Sequence, residues 1–296
     1  MSKRPLSFAV FGNTYQAKKS AAVESLLHSL AQRHAHVCIE RSYHRFLTRT
    51  LQMPLSAVDV FDGDDFEADI AISMGGDGTF LRTASLVGCR QIPILGVNMG
   101  RLGFLANANP RCLEDVILSL FRGNYEVEER ELLQVITDGE PFEGADCALN
   151  DVAILKRDDA SMISIHTSIN GEYVTTFQAD GLVVSTPTGS TAYSLSNGGP
   201  IIVPGTKVFS LTAVAPHSLN VRPIVVPDDA DLSLTVESRS HHFLVAIDGR
   251  SEKCLEGTRL TLRKAPYLVR IVTPVGKSYF NTLREKMMWG ADRRGR

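Results

Sequence analysis

Tryptophan occurs once in the 296 residues, and no two cysteines stand as a Cys-x-x-Cys pair. The five cysteines, Cys38, Cys89, Cys112, Cys147 and Cys254, are odd in number and far apart. Such a set argues against a disulfide frame and for reduced thiols in a cytoplasmic protein. No apolar run approaches the ~18 residues that cross a bilayer. The apolar part of MSKRPLSFAVFG is too short for a signal peptide, so no membrane partner is expected. Charge of one sign is lacking as well, with 31 Lys plus Arg against 33 Asp plus Glu. Duplex-binding domains carry a basic excess, so nucleic acid is not an expected partner. An anionic ligand would have to be met locally, by backbone N–H groups, helix N-termini, a few Arg or Lys, and metal ions. Internal repeats, low-complexity linkers and long charge blocks are missing too. The chain does have 44% apolar residues, enough for the core of two domains or one large one.

Two halves follow different patterns. Up to residue 130, short apolar strands (7–11, 36–40, 69–73, 92–97) alternate with helical stretches (16–33, 42–52, from near Thr79, and 111–122). Ala22, Val23, Leu26, Leu27 and Leu30 form one apolar stripe, Pro54 stops the second helix, and Gly123 is placed to end the last. Alternation of this kind predicts an α/β domain, a parallel sheet with helices on both faces. From 131 to 275 strand-like runs succeed one another: 132–137, 148–155, 162–169, 172–177, 182–186, 208–214, 232–237, 243–248, 259–263 and 268–272. Asn170-Gly171 between two of them is a strong hairpin signal. This predicts an all-β domain, sandwich-like or an open barrel. Within the remaining 276–296, a helix over 279–289 is expected to return to the first domain.

Two segments stand out chemically. Ser73-Met74-Gly75-Gly76-Asp77-Gly78-Thr79 ends a buried strand, the place where open α/β sheets bind ligands. Its glycines let the backbone approach a ligand, and the N–H groups there and at the next helix start can face phosphate. Asp77 would stand where a phosphate, a sugar hydroxyl and a metal meet, with Arg82 in the first helical turn facing the same ligand. A tight Gly-Asp-Gly turn with a solvated carboxylate is the competing explanation. The second segment runs from Asp180-Gly181 through Thr186-Pro187-Thr188-Gly189-Ser190-Thr191-Ala192-Tyr193-Ser194-Leu195-Ser196 to Asn197-Gly198-Gly199-Pro200. Here Gly189 permits positive φ, and Ser190 or Thr191 is placed to cap a short helix. Between the two lie Asn98-Met99-Gly100-Arg101-Leu102-Gly103-Phe104, and Asn150-Asp151 within an apolar strand, where a carboxylate is costly unless paired, bulged out or at an edge.

In this order the four segments resemble the NAD kinase family over nearly the whole chain, down to the ending Ser278-Tyr279-Phe280-Asn281-Thr282-Leu283-Arg284. The resemblance implies transfer of the γ-phosphoryl group of ATP to the adenosine-ribose 2′-hydroxyl of NAD, giving NADP and ADP. It implies that Asp77 is catalytic, as general base or orienter, with Gly76, Gly78 and Thr79 against ligand phosphates. Phe104 would pack on the adenine of NAD, and Asn150 and Asp151 would bond the adenine and its ribose. Thr188, Thr191, Ala192, Tyr193 and Ser196, with Ser194 and Leu195 in the same run, would hold the bases, and Asp180 would sit near the nicotinamide. Ser161 lies close to a family contact position. Mg²⁺ or Mn²⁺ would come with ATP, no side-chain ligand for it being singled out and a contact from Asp77 left open, and a homodimer or homotetramer is expected. The site would lie where Asp77 meets the 180s–190s loop.

Three positions depart from the family pattern. Asp151 replaces a frequent glutamate and is one methylene shorter. Gln178 stands where several bacterial relatives have arginine, which is expected to loosen discrimination between NAD and NADH. Arg250 stands at a site often held by glutamine. A metal at His241-His242 is disfavoured, because neighbours on a strand point to opposite faces. His217 reads as structural, the tail 293–296 as a frayed terminus, and 156–159 as an exposed loop. The rival readings are another Gly-Gly-Asp-Gly kinase, acting on a lipid or sugar phosphate, and a non-catalytic dinucleotide sensor. The first lacks its Pro-Leu-Gly-Thr-Gly-Asn-like turn, since Leu95-Gly96-Val97-Asn98 stands there, and the second has no use for Asp77.

Overall fold

The computed structural model describes residues 5–15, 20–55, 58–100, 103–106, 108–157, 161–276 and 278–289. The start of the expected first helix at 16–19, Arg101-Leu102, Asp158-Asp159 and the 293–296 tail lie outside the described residues. In chain order the elements are β1 (Ser7–Gly12), α1 (Ser20–Gln32), β2 (His36–Glu40), α2 (Arg41–Arg45), β3 (Asp59–Phe61), β4 (Ile70–Gly75), α3 (Asp77–Val87), β5 (Ile94–Asn98), α4 (Leu113–Arg122) and β6 (Glu126–Thr137). They continue with β7 (Cys147–Ala148), β8 (Asp151–Lys156), β9 (Ile163–Ile169), β10 (Glu172–Ala179), β11 (Gly181–Ser185), α5 (Tyr193–Ser196), β12 (Val208–Val214) and β13 (Ile224–Pro227). The last are β14 (Leu232–Glu237), β15 (His242–Ile247), β16 (Arg250–Leu255), β17 (Arg259–Thr273) and α6 (Tyr279–Met287). Contacts divide the chain into two compact units, one comprising residues up to Glu129 together with those from Val269 on, the other Arg130–Leu268.

The first unit is an α/β layer structure. Its sheet runs β3-β2-β1-β4-β5, and Ile271 of β17 pairs with Ile94 at the far edge, every pair being parallel. A parallel sheet is covered on both faces, so its strands are near-continuous apolar runs. β4 and β5 accordingly have every residue buried. Val23, Leu26 and Leu30 of α1 and Leu113, Ile117 and Leu120 of α4 share one core with Phe8, Val10, Ile72 and Leu95. Each fully buried Leu or Phe contributes roughly 1.5–3 kcal/mol. The second helix begins one residue earlier than the sequence suggests, because Glu40 caps it by accepting the Tyr43 N–H at 3.1 Å. It then widens into a π-type turn over Phe46–Thr50. Gly123, at φ 70°, closes α4 in the left-handed conformation.

The second unit is a β-sandwich. One sheet has the order β13-β12-β11-β8-β15-β16, all antiparallel. In the other, β10-β9-β14 continues to the first residues of β17, and β6 pairs with β7. Val152, Leu182, Phe209 and Phe243 from the first sheet meet Ile165, Phe177, Leu234 and Leu260 from the second in one core. Asn170 and Gly171, at φ 50° and 81°, make the tight β9–β10 turn that the sequence predicts. All five cysteines are free thiols. Among the described residues no helix is long and apolar enough to cross a membrane.

Candidate active site

In the first unit β1 is flanked by β2, which continues outward to β3, while β4 leads the other way to β5. The carboxyl ends of β1 and β4 therefore bound a switch-point crevice, the position where open α/β sheets take ligands. A cavity of about 510 Å³ lies there, lined by Gly12–Tyr15 after β1, by Gly76, Gly78 and Thr79 after β4, and by Ser42 and Arg82. Gly76 is the extended residue before α3, and no side chain caps that helix start. The first-turn N–H groups are thus available to an anion, and the helix dipole favours one. A Cβ on Gly76 or Gly78 would meet nothing within 4 Å, so their backbone faces open space. Gly75 serves packing instead, since a Cβ there would come within 2.1 Å of Thr79 Oγ1. Arg82 is tethered through Nη2 to Glu40 Oε1 at 3.1 Å. Burial pushes the Glu40 carboxyl up, but the Ser42 hydroxyl, the Tyr43 N–H and the Arg82 guanidinium together hold it below its ordinary value.

Asp77 opens α3 and does not lie loose in solvent. Its Oδ1 accepts the N–H groups of Leu105 and Ala106, each at 3.0 Å, and its Oδ2 accepts that of Phe104 at 2.9 Å. The contact is so close that a Cβ on Gly103 would come within 2.0 Å of Oδ1. Gly103 and Asp77 therefore fit together, and the Gly103-Phe104 motif is pinned by a carboxylate 27 positions away. Lys286 of α6 brings Nζ to 3.8 Å from Oδ2 and to 4.7 Å from the centroid of the Phe104 ring. Tyr279 approaches the same ring, centroid to centroid 6.3 Å.

In the second unit Asn150 and Asp151 stand where β7 gives way to β8. β8 is central in its sheet, so an edge position does not explain them. The strand breaks at 149–150 because Asp248 gathers the local donors. Its Oδ2 accepts Leu149 N–H at 2.7 Å, and its Oδ1 accepts Asn150 and Asp151 N–H at 2.8 and 3.1 Å. Asp248 occupies the first left-handed position of the β15–β16 hairpin, at φ 49° followed by Gly249 at 84°. Sequence reasoning missed this residue. Its Asp-Gly pair marks the hairpin, but nothing local shows that the side chain reaches back 97 residues. Burial, then the Asp248 charge, push the Asp151 carboxyl up to about 7, against the Tyr193 backbone N–H. Burial alone pushes Asp248 up to about 6, against its three N–H donors. Asp151, with fewer N–H donors and the Asp248 charge beside it, is pushed up the further of the two.

Both folded values lie above the usual ~3.9 of an unfolded aspartate, so the folded state holds more protons near neutrality. This contribution to stability is complete below about pH 4 and is lost as pH rises toward about 7. Asp248→Asn removes one of the paired charges and turns an amide N–H₂ toward backbone N–H groups. It is expected to destabilise the fold by about 1–3 kcal/mol and to flatten this pH dependence. Denaturant unfolding of both chains between pH 4 and 8 is the check, and equal pH slopes would contradict it.

The hydroxyl loop folds against this turn. Thr186 Oγ1 donates to Leu149 O at 2.6 Å and accepts Gly189 N–H at 3.1 Å, while Thr186 N–H reaches Asn150 O at 2.9 Å. Gly189 is not among the positive-φ residues, contrary to the sequence expectation. It is glycine because a Cβ would lie 2.0 Å from Asn150 O. Neither Ser190 nor Thr191 caps α5, whose preceding residue is Ala192 without a side-chain cap. Ser190 instead donates to Pro187 O and accepts Ile202 N–H, at 2.7 and 3.0 Å. Thr188, Thr191, Ala192 and Leu195 are half-buried, and Tyr193 and Ser196 exposed. Ser194 differs from them: fully buried and 3.1 Å from Thr212 Oγ1, its hydroxyl packs the loop rather than facing a ligand.

The remaining candidates scatter over the second unit. Ser161 and Gln178 line a separate cavity of about 740 Å³, together with the cation Arg239. Asp180 pairs with Lys156 at 2.9 Å, and Lys156 therefore belongs to an ion pair rather than to a solvated loop. The Arg250 guanidinium donates to the Glu143 and Ala145 carbonyls and lies 3.5 Å from Glu252, a structural use. The His241 ring pairs with Glu256, and the His217 backbone N–H donates to Gln178 O at 2.9 Å.

An uncapped helix start opening on a switch-point crevice, with a carboxylate fixed beside it, defines a nucleotide-binding α/β protein. Residues 8–125 match the family model of the ATP-NAD kinase N-terminal domain, and residues 149–274 that of the ATP-NAD kinase C-terminal domain. The chain belongs to the ATP-NAD kinase family. It is 56% identical to the NAD kinase of Bacteroides fragilis, over 98% of this chain and 100% of that one. It is 44% identical to that of Porphyromonas gingivalis, over 96% and 98%. Among solved structures, the yeast NADH kinase complexed with NADH shares the fold at a TM-score of 0.87 and 21% identity, covering 100% of this chain and 91% of that one. An Archaeoglobus fulgidus NAD kinase in complex with ATP matches at 0.75 and 26%, covering 96% and 99%.

Proposed function

We propose that the chain is an NAD kinase that transfers the γ-phosphoryl group of ATP to the adenosine-ribose 2′-hydroxyl of NAD, releasing ADP and NADP. The observation that carries this reading is Asp77, whose Oδ1 is filled by two N–H groups while Oδ2 takes one. A carboxylate oxygen has about two acceptor positions, so Oδ2 keeps one for a substrate hydroxyl. The 2′-hydroxyl donates to Oδ2, its proton passes there as its oxygen bonds to the γ-phosphorus, and the bond from that phosphorus to the ADP oxygen breaks. The first-turn N–H groups of α3, with Thr79, Ser42 and Arg82, receive the ATP phosphates. Among the described residues no cluster of three or more His, Cys, Asp or Glu is placed to hold a metal ion, and the divalent ion, Mg²⁺ or Mn²⁺, enters as part of the nucleotide substrate. Asn150 and Asp151 hold the adenosine of NAD, Asp151 from a buried position where desolvation and the Asp248 charge raise its carboxyl. Phe104 packs on the adenine, and the loop of Thr188, Thr191, Ala192, Tyr193 and Ser196 holds the bases. Asp180, Ser161 and Gln178 serve the nicotinamide end. The enzyme acts in the cytoplasm as a homodimer or homotetramer.

Steady-state kinetics with Mg·ATP and a panel of acceptors test the assignment. NAD is phosphorylated, diacylglycerol and sugar phosphates are not, and NADH is accepted with a kcat/KM within about tenfold of that for NAD, since Gln178 is neutral. Turnover of the lipid or sugar acceptors alone contradicts the kinase assignment, and a strong preference for NAD contradicts only the part given to Gln178.

A further inference from the structure

α6 places Tyr279, Leu283 and Lys286 on one face, three to four residues apart. Leu283 is buried and anchors the helix, and Tyr279 and Lys286 both reach the Phe104 ring. The Lys286 ammonium also lies 3.8 Å from Asp77 Oδ2, beyond hydrogen-bonding length but within ion-pair range. Oδ2 is the oxygen with an open acceptor position, so the cation stands beside the point that a substrate hydroxyl would occupy. It does so with its side chain only 30% exposed. Arg82, a cation on α3 itself, is tied to Glu40.

We propose that Lys286 is a positioning residue of the phosphoryl transfer, holding Asp77 Oδ2 and the Phe104 ring in place from the C-terminal helix. The inference rests on the kinase reading. When the proton reaches Oδ2 the aspartate becomes neutral, and a fixed ammonium beside it is left facing the charge that develops on the transferring group. Holding that charge requires a cation at this point, not merely a packed helix. The ammonium also lies 4.7 Å from the centroid of the half-buried Phe104 ring, a smaller cation–π contribution beside the charge on Oδ2.

The test compares the full-length wild type with Lys286→Gln, Lys286→Arg and Leu283→Ala, reading kcat, KM for NAD and thermal unfolding midpoint. Lys286→Gln is expected to lose about 100-fold in kcat, the effect of one lost electrostatic contact to a reacting group. Its KM for NAD changes less than about fivefold and its midpoint stays with the wild type. Lys286→Arg recovers to within about tenfold of wild-type kcat. Leu283→Ala lowers the midpoint through the cavity it leaves. A Lys286→Gln kcat within about threefold of wild type overturns the inference. So does a loss of activity that only tracks a lowered midpoint, as in Leu283→Ala. A wild type that forms no NADP defeats the kinase reading itself, whereas equal NADP formation by wild type and Lys286→Gln defeats only the part given to Lys286.

Discussion

Asp77→Asn is expected to lower kcat by about 10³-fold or more while NAD still binds, the span that a lost general base commands. The substitution keeps the size of the side chain but removes the proton acceptor. It also cannot keep all three backbone bonds. The amide oxygen can still serve Leu105 and Ala106, but the amide N–H₂ then faces the Phe104 N–H in place of Oδ2. Donor against donor displaces the 103–106 loop, so part of the loss comes from a Phe104 ring out of place. The adenosine contacts assigned to Asn150 and Asp151 belong to the other compact unit and are untouched. Calorimetric titration with NAD beside single-turnover kinetics separates the two effects. A mutant with kcat within about tenfold of wild type would mean that Asp77 only holds its loop.

Gly189→Ala has the second large effect, this time on dinucleotide binding. An added Cβ would lie 2.0, 2.3 and 2.6 Å from the O, C and Cα of Asn150. These are backbone atoms of a turn whose Asn150 O accepts the Thr186 N–H and whose Asn150 and Asp151 N–H groups donate to Asp248, so they cannot swing aside. The loop must lift off the Asn150 turn, breaking the Thr186 and Gly189 bonds. A loss of about 2–3 kcal/mol in stability is expected, at the upper end for an overpacked site. NAD affinity falls at least about tenfold, because a pocket misplaced by 1 Å loses its orientation. ATP binding at the α3 crevice is unaffected. Unfolding and two separate titrations check this, and unchanged NAD affinity would remove the 186–196 loop from the dinucleotide site.

Sequence patterning reached far into this fold, and its failures share one cause. Both layer types, the β9–β10 turn and the Gly123 helix end follow from hydrophobic period and turn chemistry, which act over a few residues. The glycine-aspartate loop is legible for the same reason, as glycines after a buried strand mark a close backbone approach. Glycine at 189 stands out in the sequence, but its reason does not, since φ is a local property and a clash with Asn150 is not. Asp248 and Lys286 gave no local signal. One reads as a hairpin turn and the other as a solvated helix charge until the chain brings them to Asn150 and Asp77. β6 begins at Glu126, well before its apolar residues, and pairs with β17 as well as β7, a long-range partner that no apolar pattern marks.

The most direct measurement follows the phosphoryl group itself. Purified chain is incubated with NAD, Mg²⁺ and ATP labelled at the γ-phosphorus, and the product is resolved by phosphorus and proton NMR. Label on the 2′-oxygen of the adenosine ribose, lost in Asp77→Asn, is the predicted result. Label at another position, on another molecule, or only as free phosphate in the presence of bound NAD would contradict the account.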